Sequence, residues 1–103
     1  MGNSDREAVA FKILEENFPE EIRNEAYTLV LTQIGKFIEK NKLRKTDFPQ
    51  ISNSALYTLT LGLAKRGLAS KPDDAEKYLN DQLRRMLSGG LNALEEIFNE
   101  IIG

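Results

Sequence analysis

The sequence predicts an all-α fold, a compact antiparallel bundle of four or five helices spanning residues 1–103 as a single helical domain. Apolar residues recur at three- and four-residue steps through most of the chain. The Pro and Gly residues fall singly or in pairs between these periodic segments, as helix punctuation does. A length of 103 residues is that of one domain with one core, and 41% hydrophobic with 29% charged residues is an ordinary globular composition.

The first helix is expected to open at Ser4, with Glu7 three residues on as a capping box. It places Ala8, Phe11 and Leu14 at helical spacing and stops before Phe18-Pro19. Pro19 then suits the first position of a second helix, and Glu20 and Glu21 suit the positive end of its dipole. Ile22, Ala26, Leu29, Val30, Ile34, Phe37 and Ile38 form its stripe, widened by Tyr27 and Leu31. This helix should be the longest and lie centrally, contacted from two sides. Residues 42–49, with Pro49, interrupt the pattern and read as a loop, with room for a short helical turn.

Ser52, Asn53 and Ser54 are good N-caps for a third segment, although Leu59-Thr60-Leu61-Gly62-Leu63 also alternates like a strand. Its ending decides for helix. Lys65 and Arg66 fill a last turn, Gly67 suits the left-handed position beyond it, and Leu68 is placed to fold back onto Leu63 in a Schellman closure. Gly62 is expected to let a neighbouring helix approach closely. A fourth segment opens at Ser70, with Asp73 three residues on, and carries Ala75, Leu79, Leu83, Met86 and Leu87 to a break or kink at Gly89-Gly90. A fifth follows, with Leu91, Leu94, Phe98 and Ile101 in an a/d rhythm flanked by Ile97 and Ile102.

The absence of His and Cys excludes Ser-His and Cys-His nucleophile systems, thiolate metal sites and disulfides. No catalytic, cofactor-binding or metal-ligating residue is assigned, and no small-molecule substrate is inferred. The acidic run Glu15, Glu16, Glu20, Glu21 and Glu25 matches no calcium-loop spacing and reads as solvated helix ends. No apolar run is long enough to span a membrane, and no signal-peptide pattern opens the chain, so the expected address is cytoplasmic. A net charge of −2 supplies no global field toward nucleic acid or anionic lipid.

One local patch runs against that balance. Lys36, Lys40, Lys42, Arg44 and Lys45 place cations where phosphates could be tracked, with Phe37 and Phe48 near enough to stack on a base. The same cations also complement a helix C-terminus. Downstream, Ile51-Ser52-Asn53-Ser54-Ala55-Leu56, then Leu59, Leu63 and Arg66-Gly67-Leu68, resembles the recognition-helix stretch of winged-helix repressors over about twenty residues. That resemblance implies a helix-turn-helix-like segment around residues 43–68 with Asn53, Tyr57, Thr58 and Thr60 facing a DNA groove. The sequence departs from the pattern on both sides: residues 47–50 are too short for the preceding helix, and residues 71–87 read as helix where a β-wing would stand.

The leading expectation is a non-enzymatic interaction or adaptor protein whose partner is another protein. It is expected to form a homodimer through Leu91, Leu94, Ile97, Phe98 and Ile101, because that apolar arc is wider than one packing partner usually covers. The alternative is a small DNA-binding regulator or accessory protein using Lys36, Lys40, Lys42, Arg44, Lys45, Asn53 and Tyr57.

Overall fold

Two residues, Phe18 and Pro19, separate α1 (Asn3–Asn17) from α2 (Glu20–Lys40) in the computed structural model, which describes residues 3–44 and 53–103. α3 (Asn53–Lys65) and α4 (Pro72–Ile102) complete the fold, and no strand occurs among the described residues. The chain is all-α, as its periodicity implies.

The helix starts fall one or two residues from their expected places. α1 already includes Asn3, so Ser4 is inside its first turn. Pro19 is the N-cap of α2, with extended backbone (φ −68°, ψ 156°), and its carbonyl accepts the Arg23 N–H at 3.1 Å. α4 begins at Pro72 after Lys71, so Ser70 and Asp73 make no capping box there, and Pro72 takes the first-turn position that needs no N–H partner. The helix stops match their chemistry more closely. At the end of α3, Gly67 has φ 69°, its N–H reaches the Ala64 carbonyl at 3.1 Å, and the Leu68 N–H reaches Leu63 at 3.0 Å. Those are the two bonds of a Schellman closure, sealed by Leu68 packing on the core that contains Leu63. α2 ends the same way with a less suitable residue: Lys42 takes φ 54°, and the Leu43 N–H bonds to the Ile38 carbonyl at 2.9 Å.

The central element is α3, not α2. It packs against each of the other helices, whereas α1 lies on α3 and barely touches α2. On one side, Ala55, Leu59 and Leu63 meet Ala26, Val30, Ile34 and Phe37 of α2 and Leu79, Leu83, Leu94 and Ile97 of α4. On the other, Leu61 and Ala64 meet Ala10 and Leu14 of α1 and Phe98 of α4. The strand-like alternation of Leu59, Leu61 and Leu63 comes from a helix covered on two sides: residues 59 and 63 are one turn apart in the main cluster, and Leu61 points into the second. Gly62 lies where α4 crosses α3, and a Cβ there would collide with the Tyr78 hydroxyl and come 3.0 Å from Ile101 Cδ1. A polar tie joins α2 to α4, the amide of buried Gln33 donating to Asn80 Oδ1 at 2.7 Å.

α4 covers 31 residues, but its helical backbone is interrupted at Gly90, and neither arm is as long as the 21 residues of α2, the longest uninterrupted helix among the described residues. At 1.5 Å per residue a straight helix over the whole of α4 would extend about 46 Å. The Cα trace spans only 35 Å along its longest axis. Gly90, at φ 60° and ψ −138°, turns the chain so that residues 91–102 lie back over α3. The fourth and fifth expected segments are therefore two helical arms that meet at a break in the helical backbone at Gly90, beside the expected interruption. Arg85 on the first arm holds Glu100 on the second through two hydrogen bonds of 2.9 and 2.6 Å, with Glu96 at 3.7 Å. That hydrogen-bonded pairing holds the Glu100 carboxyl below its ordinary range and raises the Arg85 guanidinium. Beside it, burial pushes the Tyr78 phenol up, against the opposing pull of Arg66, whose guanidinium lies 4.9 Å from the ring centre.

Candidate binding cleft

α1 and α2 meet at Phe18-Pro19 and part from there, since each is held to α3 and hardly to the other. The space between them, floored by α3, is a cleft of about 290 Å³. That is near the lower end of the volume range for ligand pockets, roughly 300–1,000 Å³. Phe11 and Leu14 of α1 form one wall, Arg23 and Tyr27 of α2 the other, and Tyr57 and Thr60 of α3 the floor.

An aromatic series organises the cleft. The Phe11 and Tyr57 rings meet edge to face, with centroids 5.5 Å apart and planes at 76°. The Tyr27 ring also meets Tyr57, with centroids 5.8 Å apart and planes tilted by 34°. Offset and edge-on geometries of this kind are the ones favoured by the ring quadrupole. Tyr27 and Tyr57 are half-buried, and Phe11 keeps 42% of its surface exposed. Thr60 does not offer a free hydroxyl, because its Oγ1 donates to the Leu56 carbonyl at 2.7 Å. Arg23 is anchored by a 3.1 Å hydrogen bond from Nε to the Phe18 carbonyl. The cleft therefore offers flat apolar surface, two phenols, the Asn24 amide and one guanidinium, a set suited to recognition.

Periodicity did not single out this site. Phe11 is expected in the buried stripe of α1, but the buried positions of that helix are Arg6, Ala10 and Leu14. Those residues repeat every four, so Ala8 and Phe11 lie to one side of the line and Ala8 is exposed. The available signal was the pair Tyr27 and Leu31, which widened the α2 stripe; Leu31 is 46% exposed and Tyr27 belongs to the cleft. Arg23 and Thr60 carried no signal of their own.

The proposed self-association arc is largely spent inside the molecule. Leu94, Ile97 and Phe98 are at most 4% exposed, and half-buried Ile101 packs against both clusters. The α3 side that Phe98 faces is apolar, and the bend at Gly90 delivers the second arm onto it. Of that set only Leu91 is open, at 51%, with Leu87, on the other side of the bend at Gly90, at 39%.

Two of the expected groove-facing residues, Thr58 and Thr60, are not at the surface. They are at most 1% exposed, because α3 is enclosed by the other three helices, and Tyr57 is held in the aromatic series. A recognition helix must lay one face in a groove, and Thr58 and Thr60 lie on no open face of α3. Asn53 opens α3. Lys36, Lys40, Lys42 and Arg44 are exposed, but Phe37 is buried at 5% in the core and cannot stack on a base. Lys36 borders a groove shared with Asp73 and Glu76 of α4. Lys45 and Phe48 lie outside the described residues.

Among the described residues no three acidic side chains converge on a cation site, and no described helix is long and apolar enough to cross a membrane. Comparison of the chain with protein-family models, curated protein sequences and solved structures returned no match.

Proposed function

We propose that the chain is a non-enzymatic helical interaction module that seats an apolar side chain of another protein in the cleft between α1 and α2. The observation that supports this reading is Phe11, a large aromatic left 42% exposed although it already packs edge to face on Tyr57. Burying an aromatic side chain is worth roughly 1.5–3 kcal/mol, and here a partner would supply the remainder. Tyr residues with an apolar body and a wet hydroxyl are characteristic of interface centres. A partner helix or extended segment would slot between the parted helices, as amphipathic segments do in other helical grooves.

The test is selection of peptides from a random display library, followed by mapping of the bound peptide through Phe and Tyr ring resonances. Shifts centred on Phe11, Tyr27 and Tyr57 are expected. A footprint centred elsewhere on the surface would overturn the reading.

The exposure of Leu91 favours a second, narrower reading: a homodimer through Leu87 and Leu91 at the bend of α4. Sedimentation of the parent and of Leu91→Lys decides it, since a dimer seated there would dissociate in the variant. A parent that sediments as a monomer at high concentration removes the idea.

A further inference from the structure

One charge lining the cleft has no carboxylate partner among the described residues. Arg23 is half-buried, and its Nε bond to the Phe18 carbonyl fixes how the guanidinium is held. That bond uses one edge of the fork and leaves the two terminal Nη groups for an end-on, bidentate contact. Glu20, Glu21 and Glu25 stand close in the α2 sequence and are exposed, yet among the described residues no carboxylate lies within ion-pair distance of Arg23. Tyr27 follows one turn later on the same helix, about 6 Å along it. It leads to Tyr57 and on to Phe11.

We propose that the cleft reads an acidic–apolar pair: a partner segment carrying a carboxylate side chain one helical turn from an aromatic or leucine side chain. The carboxylate pairs with the Nη groups of Arg23 while the apolar group lies against Tyr27, Tyr57 and Phe11. This inference rests on the interaction-module reading above and specifies the partner's chemistry. Two physical points support it. A guanidinium already half-removed from water loses less solvation on pairing than a fully exposed one, so more of the attraction is kept. The aromatic series also excludes water from one side of the pair, which strengthens it.

The test titrates the full chain with 3-phenylpropionate, whose ring and carboxylate are separated by two methylenes, and with the neutral 3-phenylpropanamide. Both should shift the ring resonances of Phe11, Tyr27 and Tyr57, with the carboxylate binding about tenfold tighter, as one charge-assisted pair implies. In Arg23→Gln the preference should fall to about twofold or less, while in Arg23→Lys, which keeps the charge but not the fork, part of it should survive. Should Arg23→Gln fail to fold, the reduction in Arg23→Lys decides. Equal binding of the two probes, or a preference unchanged in the variants, overturns the inference and leaves the cleft reading intact. If neither probe moves those ring resonances at millimolar concentration, the cleft reading falls with it.

Discussion

Ala substitutions at Gly90 and Gly35 should change stability in opposite directions. At φ 60° and ψ −138°, Gly90 occupies a region that residues with a Cβ enter only under strain. Holding Ala there costs about 1–3 kcal/mol, or else the bend opens and the second arm leaves the core. Gly35 is exposed within α2, and a Cβ added to it meets nothing within 4 Å. Ala in place of Gly at such a helical position gains about 0.8–1.0 kcal/mol. The two variants should therefore differ by about 2–4 kcal/mol. With a urea m-value of about 1.5 kcal/mol/M, their unfolding midpoints should lie roughly 1–3 M apart on either side of the parent. Far-UV circular dichroism during urea titration reads both. A midpoint for Gly90→Ala at or above that of the parent would refute the reasoning, because it would require α4 to run through residue 90 as ordinary helix.

Phe98→Asp places a carboxylate where the second cluster buries a ring at 4% exposure. It should cost at least about 3–5 kcal/mol and unfold much of the population, so circular dichroism should change before any association assay does. Lys42→Gly removes the left-handed strain of a residue at φ 54° and should raise stability by about 0.5–1 kcal/mol in the same urea assay. Glu100 has its pKa lowered in the folded state by Arg85, so the stability it supplies is present above the ordinary carboxylate range and lost as pH falls through and below it. Glu100→Gln should accordingly flatten the decline of melting temperature on acidification; an unchanged decline would show that other carboxylates carry it.

Element boundaries and helix stops were legible wherever the chemistry is local. Gly67 with Leu68, the Pro19 break and the Gly89-Gly90 interruption each act through one or two residues, and each appears in the structure at or beside its expected place. The centrality of α3 was not legible, because a two-sided helix shows neither a narrow stripe nor a polar face, and Leu59, Leu61 and Leu63 imitate a strand. The fate of the C-terminal arc was hidden for a similar reason. A wide apolar face shows how much surface must be covered, but whether the cover is α3 or a second subunit depends on the angle set at Gly90. The cleft was the least legible feature. Phe11, Tyr27 and Tyr57 come from three helices and meet only because α1 docks on α3 and leaves its own sequence neighbour.

That docking choice also sets an order of assembly. The contacts of α1 with α3 join residues about fifty positions apart, so loop closure must precede any reward, and the short helical hairpin with α2 supplies little that is local. α2, α3 and α4 already share the main cluster, to which none of the described side chains of α1 belongs. Amide protons of α1 should therefore exchange through a partial opening well below the global unfolding free energy, leaving the other three helices protected. Anything bridging Phe11 to Tyr27 would close that opening, so occupancy of the cleft would be reported as slowed exchange along a helix remote from most of the core.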